Sequence, residues 1–111
     1  MNVTTTLFKH CDLIKVSGRI DRYTAPQFIE AFKSITDTPR FKIVCDMSEV
    51  NYMSSAGMRV LITNQKKCKR YNRGEVVLVN VSPFIFEAME LAGFSALFKF
   101  FNDSLVAVGY F

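Results

Sequence analysis

The stretch from Asp46 to Leu61 reads Asp-Met-Ser-Glu-Val-Asn-Tyr-Met-Ser-Ser-Ala-Gly-Met-Arg-Val-Leu. It follows a largely apolar run that begins at Phe41, a pattern typical of a strand covered on both faces. We expect this strand to end at Asp46, a polar loop to occupy residues 47–54 and a helix to begin at about Ser55. A strand, a polar loop and a helix in this order indicate an α/β fold.

Two serines, Ser54 and Ser55, stand at the predicted start of the helix, and the small residues Ala56 and Gly57 follow them. One interpretation is structural: a serine caps the helix, and the small residues let its first turn pack closely. The other interpretation is functional, because free N–H groups and the positive end of the helix dipole favour an added phosphate. The residues by themselves leave both interpretations open.

Short apolar stretches alternate with helical patterns on either side of this segment. Strands are predicted at residues 3–9, 12–18, 41–46, 76–79 and 98–101, and helices at 24–36, from about 55, from 82 and after 102. The first two strands form a hairpin, and the whole order is ββαβαβαβα. This order predicts an α/β fold with a mixed sheet, parallel central strands and about four helices, in a single domain spanning residues 1–111.

The inward face of each helix is predicted from apolar residues three or four positions apart. These residues are Phe28, Ile29, Phe32 and Ile35 in the first helix, Met58, Leu61, Ile62 and Cys68 in the second, and Phe84, Ile85, Ala88 and Leu91 in the third. We also expect Gly74 to end the second helix in the left-handed conformation.

The composition excludes several classes of protein. The 111 residues are 50% hydrophobic and 14% aromatic, which excludes intrinsic disorder. The cysteines Cys11, Cys45 and Cys68 and the single His10 form no zinc-binding pattern, so we expect buried thiols and a reducing, cytoplasmic setting. No apolar run reaches the roughly 18–20 residues of a transmembrane helix, and no secretory signal is visible, so we expect no membrane insertion.

No feature of the sequence indicates an enzyme. The single histidine lies in a predicted hairpin turn, and there is no Gly-x-Ser-x-Gly elbow. The five glycines, at positions 18, 57, 74, 93 and 109, never cluster into a phosphate-binding loop. We therefore expect no catalytic activity, no cofactor and no metal.

The central segment resembles the signature of the STAS domain, which occurs in anti-sigma factor antagonists and in the cytoplasmic tails of sulfate transporters. That family shows a strand ending in Asp-Leu-Ser and then Met-Asp-Ser-Ser-Gly-Leu at a helix start. This chain has Asp46-Met47-Ser48 and then Met53-Ser54-Ser55-Ala56-Gly57-Met58. A second family element, Gly-x-x-Asp followed by Thr-Ala, appears as Gly18-Arg19-Ile20-Asp21 and Thr24-Ala25.

The resemblance implies an anti-sigma factor antagonist that regulates transcription by partner switching. It would bind an anti-sigma factor with serine-kinase activity, be released when that kinase phosphorylates it, and be restored by a PP2C-type phosphatase. The matching acceptor is Ser55, with Ser54 as the less favoured alternative. The chain departs from the family pattern where Ser54 replaces the signature Asp and Ala56 replaces the following serine.

That departure favours an alternative function. The chain would then be a STAS adaptor without a phosphorylation cycle, in a membrane-associated transport or signalling complex. A third and weaker hypothesis is a sensor that binds a small ligand or nucleotide through the same loop.

The resemblance also implies a set of partner contacts around Ser55. They are Asp21, Tyr23, Asp46, Tyr52, Ser54, Ala56, Gly57, Met58 and Arg59. Asp21 and Asp46 are expected near one end of the sheet, close to Ser55, where they would orient the serine or contact the partner. Asp46 equally suits a carboxylate that caps a loop, and Met58 suits the core better than an interface.

The positive charge of the chain is concentrated in one helix. Residues 55–73 carry six cations and no acid, whereas the other residues carry eight cations and ten acids. Cations at a helix end complement the negative end of its dipole, and they also suit an acidic protein partner or anionic lipid. Tyr71 is the only aromatic residue among them, so we expect no direct binding of nucleic acid. The sequence leaves a homodimer open.

Overall fold

A five-stranded sheet forms the centre of the structure, a computed structural model that describes residues 1–111. Its strands are β1 (Asn2–Leu7), β2 (Asp12–Ile20), β3 (Lys42–Met53), β4 (Glu75–Val79) and β5 (Phe100–Phe101). The helices are α1 (Ala25–Thr36), α2 (Ser55–Lys69), α3 (Pro83–Leu91) and α4 (Ser104–Tyr110). Short 3-10 turns lie at Arg70–Asn72 and Ser95–Leu97. The predicted order ββαβαβαβα is confirmed.

The five strands lie side by side in chain order. β1 and β2 pair antiparallel as the predicted hairpin, and the pairs β2–β3, β3–β4 and β4–β5 are parallel. Residues of α1, α2 and α3 share one core with the sheet, so these three helices cover one face. On the other face, Ala107 of α4 packs in a smaller cluster with Cys11 and three valines of β3 and β4. The predicted mixed sheet with parallel central strands is therefore confirmed.

β3 is longer than the sequence predicts, and the expected loop at residues 47–54 is wrong. Met47, Val50 and Met53 are buried, and Met53 lies opposite Ile20 at the end of β2. The pairing of β2 with β3 shifts register twice over this half of β3, which indicates β-bulges. Each bulge adds a residue, so the buried positions recur every third residue and not every second. The alternation that identifies a strand is therefore missing from the sequence.

Three residues of the predicted inward stripes face solvent. Ile29 of α1 is exposed, and in α3 Phe84 is 77% and Leu91 is 83% exposed. Ile85 and Met89, four residues apart, form the buried face of α3 instead. Because α3 is short and apolar at most of its positions, its sequence period does not single out one face.

Gly74 is not the left-handed residue after α2. Tyr71 (φ 60°) and Asn72 (φ 56°) adopt that conformation instead. Gly74 is required for a different reason, since a Cβ there would lie 2.2 Å from the backbone oxygen of Phe41. The chain entering β4 therefore passes directly against the chain entering β3.

We expect Gly74→Ala to destabilise the fold by about 1–3 kcal/mol, because the new methyl group meets backbone that can shift only with the sheet. The matched control is Gly109→Ala in α4, where a Cβ meets nothing within 4 Å. Alanine is the better helix former there, so that variant should gain about 0.5–1 kcal/mol. Urea unfolding of both variants measures the two changes, and equal effects would contradict the steric explanation.

The three cysteines are free and buried. Burial raises the pKa of the Cys68 thiol to about 11 and also raises the pKa of Cys11 and of Cys45. Since the thiolate is the reactive form, all three side chains behave as small apolar groups of the core.

Candidate functional site

The first turn of α2 lies against the ends of β2 and β3. The backbone N–H of Ser54 donates to the carbonyl of Ile20 at 2.8 Å, which ties the residue before the helix to the last residue of β2. The carbonyl of Ser54 accepts from the N–H of Met58 at 3.1 Å, so the helical hydrogen bonds begin here. Ser55 is consequently the first residue of the helix, as predicted.

Gly57 makes this close approach feasible. A Cβ at Gly57 would lie 2.7 Å from Cγ2 of Ile20 and 2.7 Å from Cγ of Met53, nearer than real Cβ atoms come to other heavy atoms. The next residue, Met58, is buried in the same core. Gly57 and Met58 were predicted as partner contacts; both are buried in the free chain, where they support the residues above them.

The two serines differ in exposure. Ser54 has the extended conformation of a cap residue, but its hydroxyl makes no capping hydrogen bond. Its Oγ is buried and has no hydrogen-bond partner in the structure. Ser55 is exposed to solvent. The first turn of α2 also lacks an acidic side chain, so nothing on the helix neutralises the positive end of its dipole.

Asp21 lies next to this helix start, because Ile20 and Met53 are paired at the ends of their strands. Its Oδ1 accepts from the backbone N–H groups of Tyr23 at 2.9 Å and Thr24 at 3.1 Å, which shapes the turn into α1. Burial acts to raise the pKa of Asp21, but these hydrogen bonds and Arg19 outweigh it and hold the pKa below its ordinary 3.8. The side chain is therefore a fixed negative charge at neutral pH.

The pKa of Asp21 predicts a pH dependence of stability. A lowered pKa stabilises the fold above the ordinary aspartate pKa, and this contribution is lost as pH falls through the native value. We expect Asp21→Asn to lower the Tm at pH 7, and the difference from the wild type to shrink as pH falls below about 3.8. Circular dichroism melts over this pH range measure it. A difference that stays constant with pH would assign the effect to geometry and not to charge.

Tyr52 lies on the face of the sheet opposite to α2, but Arg19 connects it to Asp21, whose Oδ2 accepts from Nε of Arg19 at 3.4 Å. Met53, the neighbour of Tyr52, faces the core under α1 and α2, so alternation along β3 turns Tyr52 to the opposite face of the sheet. There the guanidinium of Arg19 lies 4.0 Å from the centre of the Tyr52 ring, a cation–π contact. Arg19 was not among the predicted site residues, although it lies within the Gly18–Asp21 element that carries part of the resemblance.

Asp46 does not lie close to Ser55. It is 7% exposed, and its carboxylate accepts from the hydroxyl of Ser104 and from the backbone N–H of Ser48, both at 2.9 Å. The rest of β3 separates it from Met53, roughly 20 Å of extended strand. The prediction that Asp46 lies close to Ser55 and orients it is therefore wrong. Its carboxylate holds α4 against the sheet.

Six of the predicted site residues do come together around the start of α2. They are Asp21, Tyr23, Ser54, Ser55, Ala56 and Arg59, and we call them the α2-start surface. Tyr23 and Arg59 are exposed, and Arg59 stands one turn of α2 after Ser55. The surface thus combines an accessible hydroxyl, one fixed carboxylate and one free guanidinium.

Other kinds of site find little support in the side chains. No group of three or more His, Cys, Asp or Glu residues lies close enough to hold a metal ion. The longest helix, α2, has 15 residues, and no helix is long and apolar enough to cross a membrane.

The fold and the site define a small α/β domain that presents an accessible serine at the start of a helix packed on a mixed sheet. The family model of the STAS domain matches residues 3–106, nearly the whole chain. The chain therefore belongs to the STAS domain family, as its sequence motifs predict.

Several relatives resemble the chain over most of its length. The anti-sigma-B factor antagonist of Listeria monocytogenes is 33% identical over 93 residues, which cover 84% of this chain and 80% of that protein. The crystal structure of an anti-sigma factor antagonist from Mycobacterium paratuberculosis matches with a TM-score of 0.87 at 21% identity, covering 98% of this chain and 92% of that one. The phosphorylated form of the Bacillus cell fate determinant SpoIIAA matches with a TM-score of 0.77 at 14% identity, covering 98% of both chains. The two structural likenesses show the shared fold.

Proposed function

We propose that the chain is a cytoplasmic anti-sigma factor antagonist that acts by partner switching. With Ser55 unmodified, the α2-start surface binds an anti-sigma factor that has serine-kinase activity, and this binding releases a sigma factor. Phosphorylation of Ser55 by the bound kinase ends the interaction, and a PP2C-type phosphatase restores it. The observation that carries the proposal is the exposed hydroxyl of Ser55 on the first turn of α2, in a chain 33% identical to an anti-sigma-B factor antagonist.

The burial of the two hydroxyls favours Ser55 over Ser54 as the acceptor. A kinase must bring the hydroxyl oxygen in line with the γ-phosphate of ATP. The Oγ of Ser54 is buried, so it reaches a kinase only after its side chain or the start of α2 has moved. Ser55 is accessible without any change of the fold.

The fold has what it needs to accept a phosphate at Ser55. The first N–H groups of a helix lack partners within the helix, and the dipole places positive potential there. The first turn has no acid of its own, and the guanidinium of Arg59 is four residues further along the same helix face. Asp21 is the one carboxylate of the α2-start surface, and its Oδ1 and Oδ2 are engaged by backbone N–H groups of the turn into α1 and by Arg19. Phosphorylation is therefore expected to leave the domain folded.

An interface that covers Ser55 would reject the same phosphate. The group brings about −1.5 to −2 charges at neutral pH. A charge of this size that is buried without a cationic partner costs several kcal/mol. Since about 1.4 kcal/mol changes an equilibrium constant tenfold, the affinity for the partner falls by orders of magnitude. One modification thus separates two proteins without unfolding either.

The first test is phosphate transfer. Incubated with its anti-sigma factor kinase, ATP and Mg²⁺, the wild-type chain should gain the mass of one phosphate, and Ser55→Ala should gain none. Intact-mass spectrometry measures the gain.

Two control variants locate the modified residue. Ser54→Ala removes the buried hydroxyl and should still be labelled, and Ser48→Ala removes an exposed serine of β3 and should also be labelled. An unlabelled wild type, or a labelled Ser55→Ala, would refute Ser55 as the acceptor.

The second test separates stability from binding. An acidic residue in the first turn of a helix gains about 0.3–1 kcal/mol from the dipole, so Ser55→Asp should be as stable as the wild type or slightly more stable. Its affinity for the anti-sigma factor should nevertheless fall, because the interface must bury the carboxylate. Urea unfolding and isothermal titration calorimetry measure the two effects. A less stable variant that binds as tightly as the wild type would contradict the proposal on both counts.

One observation favours the alternative function of a STAS adaptor. Ser54 replaces the signature Asp, and its hydroxyl forms no hydrogen bond, so the polar group that the family places before the acceptor has no visible role here. If the chain is such an adaptor, the wild type, Ser55→Asp and Ser55→Ala should all bind the partner with equal affinity. The same titrations therefore decide between the two functions.

A further inference from the structure

An open groove runs between α1 and α2 on the helix-covered face of the sheet. Its volume is about 390 Å³. The apolar part of its lining is Ala25, Ile29, Ala56 and Val60, and the exposed Ile29 lies here. We call it the α1/α2 groove.

The charged residues along this groove are all cations. They are Lys33, Arg59 and Lys67. Lys33 is paired with Asp37 at 2.8 Å, whereas Arg59 and Lys67 form no ion pair in the structure. Since α2 has no acidic residue, neither cation has an acidic partner on its own helix. Asp37, just after α1, is the acid near the end of the groove where Lys33 and Lys67 lie, and both lysines lower its pKa. Arg59 has no such neighbour in the structure, so a molecule that combines an apolar surface with negative charge suits the groove.

α3 presents that combination. Phe84 and Leu91 are seven residues apart, which is two helical turns or about 10.5 Å, so they lie on the same face of the helix. Both are more than three-quarters exposed. Glu87 and Glu90 are exposed beside them, and the helix carries no cation. We call these four residues the α3 stripe.

We propose that the α3 stripe of one copy of the chain binds in the α1/α2 groove of a second copy. The apolar side chains would cover the apolar floor, and the two glutamates would face Arg59 and Lys67. This is the helix-in-groove mode of recognition, with apolar and charged complementarity present together. The exposure of Phe84 and Leu91 shows that the stripe does not occupy the groove of its own chain.

The two surfaces are different patches, so the contact is head to tail. Each bound copy still offers one free groove or one free stripe, and association continues beyond the dimer unless a ring closes. Another helix also exposes an apolar residue, Leu105 of α4, but α4 contains no acid and so lacks the charge that suits the groove. This difference supplies a control.

The test is analytical ultracentrifugation of the purified chain from micromolar to near-millimolar concentration at low salt. The wild type should show a mean mass that rises with concentration past that of a dimer. A groove variant, Arg59→Glu with Lys67→Glu, and a stripe variant, Phe84→Ser with Leu91→Ser, should each weaken self-association about tenfold or more. Circular dichroism melts check that both variants fold.

A mixture of the two variants is the decisive sample. The groove variant keeps its stripe and the stripe variant keeps its groove, so an equimolar mixture should form dimers and nothing larger. Leu105→Ser, which removes a leucine that is 76% exposed, should associate like the wild type. High salt should weaken the wild-type association, because exposed ion pairs are screened.

Three results would overturn the inference. A wild type that stays monomeric throughout would exclude the contact, and a mixture that stays monomeric would exclude the pairing of stripe with groove. Loss of association in Leu105→Ser would indicate unspecific apolar contact.

Self-association would also cover part of the α2-start surface, because Ala56 and Arg59 belong to both. Competition with the anti-sigma factor follows from this overlap, and this consequence alone rests on the proposed function. The ultracentrifugation uses the chain by itself and the phosphate-transfer assay uses the kinase, so failure of one leaves the other interpretable.

Discussion

The contact between Gly57 and the last residues of β2 and β3 fixes the site. With no Cβ at Gly57, the first turn of α2 rests directly on Ile20 and Met53, and the N–H of Ser54 reaches the carbonyl of Ile20. Ile20 and Met53 are the paired last residues of β2 and β3. The segments that follow them, beginning at Asp21 and Ser54, therefore meet beside the start of α2. The position of the accessible serine is thus a property of the sheet and is not left to a flexible loop. Any larger residue at Gly57 would displace the helix start or the side chains of Ile20 and Met53.

The same packing separates the roles of two neighbouring serines. Ser54 is the residue at which the chain turns from β3 into α2, and the turn buries its hydroxyl. Ser55 is one residue further, and there the helix has already carried the side chain to the surface. The sequence Ser-Ser alone cannot distinguish the two residues, because a serine at either position suits a helix cap. Burial distinguishes them, and it follows from the residue at which β3 ends and α2 begins.

The order of helices and strands could be predicted because the central strands are short apolar runs and the helices have clear caps, such as Ser82 and Asp103. The site could be predicted only in part. The β-bulges hide the second half of β3, so the strand seems to end at Asp46, and that end would place its carboxylate beside Ser55. One missed feature of the strand therefore misplaced one site residue. How far β3 extends is determined by its pairing with β2, and the local sequence pattern of β3 carries no information about that pairing.

The charge of α2 is distributed unevenly along its axis, and this links the sequence to the proposed switch. Lys66, Lys67 and Lys69 lie in the last turn, where cations compensate the negative end of the dipole. The first turn has no acid of its own, so no side chain of α2 compensates the positive end in the unmodified chain. A phosphate on Ser55 would complete the pattern that a stable helix prefers. The modification that a binding partner would reject is therefore one that the helix favours, and for this reason a switch at this position need not cost the fold any stability.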